Sequence, residues 1–178
     1  GRATALAVIE AVNRTRAVVL TWGGKVFSSY YHSTCGDVTE EAGSVWPGKA
    51  HPALKSRFCG SCRDAGVYEW ENRNLTYSHI RRCLASRPNV GIVTRVEVTG
   101  IGESGRASEI TVTHSKGRLV LPANDFRLLV GPGRGALELP STWFLRFAPY
   151  PSKKGEAGIA INGKGFGHGV GMCQYGAR

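Results

Sequence analysis

A chain of 178 residues, 42% of them hydrophobic, is long enough to bury one sizeable core and short enough to be expected as a single unit. Its 23 basic and 13 acidic residues leave a net charge of +10, which draws anionic partners to the surface. The basic residues stand alone or in pairs, as in Arg81-Arg82 and Lys153-Lys154, so the block of a nucleic-acid tail is missing and no nucleic-acid partner is expected. No stretch reaches the roughly 18 to 20 apolar residues of a membrane span, so membrane contact is expected only through an anchor outside this sequence.

Ala5 to Val12 is a run of good helix formers closed by Asn13, which predicts a short helix. The runs "AVVLTW" and "KVFSSYYHS" flank Gly23-Gly24 and predict a hairpin, with His32 and Cys35 falling where its second strand runs out. Gly36 to Arg63 is rich in Gly, Pro, Ser and charge, with Trp46 and Phe58 as isolated anchors. So long a loop in a compact domain calls for a function or a cross-link.

Further on, Ile80, Cys83 and Leu84 share one face of a helix predicted over Tyr77 to Ala85, which puts Cys83 in the core. "VTRVEVTG", "SEITVTH", "RLVLP" and "TWFLRF" read as strands, with Ser115-Lys116-Gly117 turning between two of them. "DFRLLVG" reads as one helical turn, Pro151 to Gly158 as a polar tip, and "GIAING" as a strand. The fold class is therefore α+β, mostly antiparallel sheet with short marginal helices and a long loop stapled by zinc or a disulfide.

Five cysteines, Cys35, Cys59, Cys62, Cys83 and Cys173, exclude a fully paired disulfide framework within one chain. His32-x2-Cys35 and Cys59-x2-Cys62 form two ligand pairs whose spacers let one tight turn aim both side chains at an ion. Zinc suits three thiolates and an imidazole, and with four protein ligands it is structural, because a catalytic site keeps one position open. A disulfide between Cys59 and Cys62, or from Cys35 to either, is the rival, with His32 a surface neighbour. Free thiols are the third reading.

Near the end, glycines at 163, 165, 167, 169 and 171 alternate with Lys164, Phe166, His168 and Val170. This pattern predicts a strand with side chains on one face only, open to close approach by another backbone or a ligand. It carries neither phosphate-loop nor dinucleotide-binding spacing.

The string "GFGHGVGMCQYGA" resembles the closing signature of the domain shared by stage II sporulation protein D and the amidase enhancer of bacterial autolysis. "AVNRTRAVVLTWGGKVFSSYYHSTCGDVTEEAGSVW" is similar to that family's hairpin and Tyr-His-Ser segment, "SGRASEITV" to its Ser-Gly-Arg strand, and "ANDFRLLVG" to its Phe-Arg helix turn. The resemblance spans nearly the whole chain.

It implies action on peptidoglycan outside the cytoplasm, in the cell wall, periplasm or forespore intermembrane space. The sporulation members are lytic transglycosylases that cleave glycan strands stripped of stem peptides and leave 1,6-anhydromuramoyl ends. The alternative is a noncatalytic wall-binding module that enhances an N-acetylmuramoyl-L-alanine amidase, so glycan strands and a cell-wall amidase are the implied partners.

Cleavage in the family uses one acidic residue, kept protonated near neutral pH, that lies before an Ala-rich helix without counterpart here. Residues 1–178 are therefore expected to be a single domain of this kind, truncated at both ends relative to the family, and the catalytic acid matches no position. Glu10, Glu40 and Glu41 are the available carboxylates, Glu10 on the first helix and the other two on a loop or rim.

What transfers is a groove. Tyr31 and Trp46, with Tyr30 as a neighbour, are expected to stack on sugar rings. Arg127 would stabilise charge or fix a loop, and His168 and Gln174 would bond substrate or orient the acid. Cys173 stands where relatives often carry Ser and is expected to be a small packed residue.

Overall fold

The computed structural model describes residues 2–131, 139–151 and 156–178, with the backbone alone for Arg2 and Ala3. The polar tip expected from Pro151 to Gly158 falls largely outside these residues. Helix α1 (Arg2–Arg14) forms where the helix-forming run predicts it, and its Leu6, Ile9 and Val12 are exposed. Strands β1 (Thr21–Trp22) and β2 (Lys25–Val26) pair antiparallel. Gly23 and Gly24 both take positive φ, +56° and +75°, the conformation a two-residue hairpin turn demands.

That hairpin is shorter than its sequence suggests, because the chain after Val26 changes partner. Strand β3 (Tyr31–His32) leaves the hairpin and pairs in parallel with β10 (Met172–Cys173), setting Met172 opposite Tyr31 and Cys173 opposite His32. The segment after it is less bare than its composition implies. It holds α2 (Ala42–Val45) and a single 3-10 turn at Pro52–Leu54, tied down by bridges from Val38 to Phe58 and from Glu40 to Val170.

Two three-stranded antiparallel sheets make the body. One runs β4 (Glu69–Thr76), β9 (Gly158–Lys164), β8 (Trp143–Tyr150), and the other β5 (Val93–Ile101), β6 (Ala107–His114), β7 (Gly117–Pro122). Helices α3 (Tyr77–Cys83) and α4 (Ala123–Val130) pack with them. Ile80, Ile110, Val112, Phe126, Ile159 and Ile161 are fully buried between these layers, each worth about 1.5–3 kcal/mol of transfer from water.

Helix α4 exceeds the single turn expected because Ala123, Phe126, Arg127 and Val130 are all buried, a helical spacing of one face. Strand β4 is hidden in the sequence: among its charges only Trp70 and Leu75 are buried, five apart and so on opposite faces of a regular strand. A bulge between Trp70 and Arg73, with Asn72 at φ +57°, adds a residue and returns both to the core side.

The glycine tail is not the strand its alternation predicts. Gly165, Gly167, Gly169 and Gly171 take φ of +79°, +105°, +84° and +75°, a left-handed conformation that breaks strand geometry at every second residue. The strip instead runs alongside the chain around β3, joined by backbone bonds between Phe166 and Thr34 and from Glu40 N to Gly169 O. The fold is α+β and mostly antiparallel, the β3–β10 pair being parallel. No described helix is long and apolar enough to cross a membrane.

Candidate functional site

Where the glycine strip meets β3, four rings gather. Trp46, just after α2, lies 4.8 Å from Tyr30 and 4.8 Å from His168 between ring centres, and His32 is 5.8 Å from His168. A small core of Ala42, Val45, Leu54 and Val170 supports them from below. The two histidines hold opposite tautomers when neutral. His32 donates from Nδ1 to the Val170 carbonyl at 3.1 Å, whereas Nδ1 of His168 accepts from Val170 N at 3.0 Å.

Burial pushes both imidazoles down to about 4. For His32 the Val170 bond works against this while Arg106 and His168 add to it, and for His168 Arg127 and then Arg106 add to it. The pair is thus neutral at neutral pH.

Beside the rings lies a cleft of about 550 Å³ lined by Tyr30, Trp46, Pro47, Lys49 and Asp125 among others. A second cleft of about 490 Å³, lined by Trp22, Phe27 and His51, shares Tyr30 and Lys49 with it. Phe27 stacks on His51 at 4.9 Å. Aromatic faces with a few placed charges suit a ligand whose rings are apolar on their faces and polar at their edges.

Trp46 and His168 are brought together as the sequence suggests, but Tyr31 is not. It is 65% exposed, and its neighbour Tyr30 turns inward instead, because successive strand residues face opposite ways. Arg127 is buried on α4 with Nε and Nη2 on Asn124 Oδ1 at 3.2 and 3.1 Å. Gln174 is exposed, and its backbone N–H donates to the His32 carbonyl.

Glu10 pairs with Arg14 on the exposed helix, and Glu41 pairs with Lys55. Glu40 is no rim residue. It is 2% exposed and accepts from Ser104 Oγ at 2.6 Å and Glu41 N at 2.8 Å. Among the described residues, Asp125 is the carboxylate on the first cleft's wall.

Behind the strip, the sulfurs of Cys35, Cys59, Cys62 and Cys173 all lie within 4.8 Å of one another. Of the expected set His32, Cys35, Cys59 and Cys62, the three cysteines gather with Cys173, while His32 stands apart from the sulfurs. The reason is the β3–β10 register, in which the His32 ring turns to Val170 O and His168 while Cys35 comes against Cys173, donating its N–H to Cys173 Sγ at 3.4 Å. The signal in the sequence was the arithmetic, since setting Cys83 aside in the core leaves four cysteines.

Within this cluster 3.5 Å separates the sulfurs of Cys35 and Cys62. Burial pushes the Cys35 thiol up. Burial also acts upwards on Cys62, but the Asp37 amide, Cys35 and the Gly36 amide outweigh it and hold that thiol below its ordinary value. A low thiol among amides, with three neighbours at contact range, is what a thiolate metal centre requires.

Asp37 locks the loop that presents the pair. Its carbonyl accepts from Cys59 N and Gly60 N, and its carboxylate takes Arg63 at 3.0 Å, Tyr68 at 2.5 Å and Lys164 at 3.3 Å. Four cysteines from three parts of the chain are thereby close enough to hold a metal ion.

Residues 60–171 match a family model described as "Domain of unknown function (DUF8618)". Over 175 residues, 96% of this chain and 42% of the relative, the sequence is 35% identical to an uncharacterized protein of Brachyspira hyodysenteriae. It is 29% identical over 170 residues, 96% of this chain and 44% of the relative, to stage II sporulation protein D of Bacillus amyloliquefaciens. It is 23% identical over 219 residues, 95% of this chain and 29% of the relative, to the amidase enhancer of Bacillus subtilis (strain 168). The chain thus spans less than half the length of these curated relatives.

Proposed function

The chain belongs to the family described as Domain of unknown function (DUF8618), and on that premise we propose that it works on the bacterial cell wall, outside the cytoplasm. It holds a peptidoglycan glycan strand in the cleft beside Tyr30 and Trp46, and where the full-length protein supplies the catalytic acid, strands stripped of stem peptides are cleaved there by lytic transglycosylation. The observation that carries this reading is the ring cluster itself, in which Trp46 lies 4.8 Å from both Tyr30 and His168 and, with Tyr30, lines an open cleft. The relatives named stage II sporulation protein D support it, since they align over almost all of this chain.

In this reading Trp46 and Tyr30 lie against the faces of sugar rings, and Lys49 and Asp125 bond their polar edges. His168, neutral and fixed by Val170 N, orients the strand without adding charge. Arg127, buried on α4, holds Asn124, the neighbour of Asp125 in the cleft wall. Tyr31 and Gln174, both exposed, stand outside this first shell of contacts and serve at most the outer edge of a long strand.

The four cysteines take a structural zinc ion, which cross-links Cys35 after β3, the loop pair Cys59 and Cys62, and Cys173 of β10. Closing such loops restricts the unfolded chain, by analogy worth about 3 kcal/mol or more. The residues 1–178 act as one unit in this scheme.

The experiment is digestion of purified stripped glycan by the full-length protein, with products identified by mass. Anhydromuramoyl ends are expected. Ordinary reducing ends show a hydrolase, and unchanged strands that nevertheless bind favour a second reading, a noncatalytic module that enhances an amidase. The alignment of 95% of this chain with a relative named for that role supports this alternative, and it is tested by adding the protein to a cell-wall amidase and measuring its rate.

A further inference from the structure

We propose that Arg106 is the electrostatic partner of the four-cysteine centre, fixing the ligand residue Cys35 through its carbonyl and offsetting the negative charge of the loaded centre. This rests on the reading of the cluster as a metal centre. Arg106 immediately precedes β6 and is 1% exposed. Its Nη2 donates to the Cys35 carbonyl, while Nε and Nη1 have no hydrogen-bond partner among the described residues. The ring of Trp143 lies 4.9 Å from its Cζ.

A guanidinium taken out of water is costly unless an anion answers it. Glu40, also buried, acts on the Arg106 charge more strongly than Cys35 or Cys62 does, but its carboxylate is held by Ser104 and by the Glu41 amide and no ion pair joins it to Arg106 among the described residues, which leaves Nε and Nη1 unanswered. The other candidate anion is the sulfur cluster. Four thiolates around a divalent ion leave two negative charges, and the loaded centre therefore needs a cation nearby as much as Arg106 needs an anion.

The bonding supplies a route between them. The carbonyl that Arg106 holds is that of Cys35, whose own N–H donates to Cys173 Sγ and whose sulfur lies 3.5 Å from that of Cys62. Arg106 thus fixes the backbone around which these sulfurs gather, a supporting contact of the kind that tunes metal affinity.

The same side chain reaches the glycine strip. A Cβ on Gly169 would collide with Arg106 Nε and come within 2.8 Å of Cζ. The residue after His168 is therefore glycine partly because Arg106 occupies its side-chain space, and the metal centre and the ring cluster share this one neighbour.

The test is metal affinity, read by Zn²⁺ competition with a chromophoric chelator and by the Co²⁺–thiolate absorption band. Arg106→Met is expected to weaken binding about 10–100-fold and to shift the band, with Arg106→Lys, which keeps the charge, recovering part of the loss. Arg73→Met, which removes a guanidinium on β4 whose Nε is likewise buried without a hydrogen-bond partner, is expected to bind as the wild type does.

Should Arg106→Met not fold, Arg106→Gln takes its place with the same expected loss. Unchanged affinity in the Arg106 variants, or an equal loss in Arg73→Met, overturns the assignment. If the wild-type chain takes up neither ion, the metal reading itself fails and Arg106 falls with it.

Discussion

His168 lies 4.8 Å from Trp46, ring centre to ring centre, although 122 residues separate them, and Tyr30 closes the group at 4.8 Å from Trp46. In a sugar-binding cleft these rings supply most of the contact area, because apolar faces removed from water dominate such sites. Trp46→Ala is expected to weaken binding to stripped glycan by about tenfold, or roughly 1.4 kcal/mol, in calorimetric titration. Tyr30→Ala should weaken it comparably and Tyr31→Ala only slightly. Equal losses at Tyr30 and Tyr31 would place the sugar elsewhere.

The metal ligands separate just as sharply. Cys173→Ser is expected to abolish uptake of one equivalent of zinc as fully as Cys62→Ser does, while His32→Gln retains it. Metal content of protein purified without chelator gives the answer. Retention of zinc by Cys173→Ser together with loss in His32→Gln would restore a ligand set of one histidine and three cysteines. Treating the wild type with a chelator should lower its thermal midpoint, since the cross-link between β3, the loop and β10 goes with the ion.

Gly169 is a position where two costs coincide. Its φ of +84° strains any side chain, about 1–3 kcal/mol for the backbone alone, and a Cβ there meets the Arg106 guanidinium. Gly169→Ala is therefore expected to lower stability by more than the backbone figure, read as a drop in the urea midpoint. Gly24→Ala serves as the comparison, since its φ is +75° but nothing lies within 4 Å of the added carbon. A similar small loss at both sites would show that Arg106 yields.

What was legible in the sequence followed from local chemistry. The Gly-Gly hairpin, the Ile80–Leu84 face and the β-branched runs of β5, β6 and β7 each declare themselves within a few residues, and each is found. Trp46 and His168, singled out in the sequence, come together in the ring cluster, and beside them it is Tyr30 rather than Tyr31 that turns inward, because which of two adjacent residues faces inward depends on the partner strand. Cys173 was passed over for the same reason. Its role depends on β10 pairing with β3 across 141 positions, a contact no window of sequence contains. The glycine strip misled because strand-like alternation of side chains arises equally well from alternating left-handed glycines, and only φ tells them apart.

Acid should loosen this arrangement before it disturbs the sheets. In the folded chain burial holds His32 and His168 at about 4, while in the unfolded chain each titrates near 6.5. Between these values the unfolded state binds the extra protons, so stability falls as pH is lowered from about 6.5 to about 4 and is fully present above. His32, 4% exposed, contributes on the order of 3 kcal/mol to this slope, and the less buried His168 adds less.

Asp37 acts in the same direction at lower pH. Burial raises its carboxyl but Tyr68, Arg63 and Lys164 outweigh that and hold it low, so its contribution is lost only as pH falls through the acid range below its unfolded value. Urea midpoints at pH 7, 5.5, 4.5 and about 3 check this, the last reaching the range where Asp37 protonates. His32→Asn should flatten the fall between 6.5 and 4 while leaving the later loss from Asp37 in place. A wild-type midpoint that stays level to pH 4.5 would mean that the two imidazoles reach solvent and protonate freely in the folded chain.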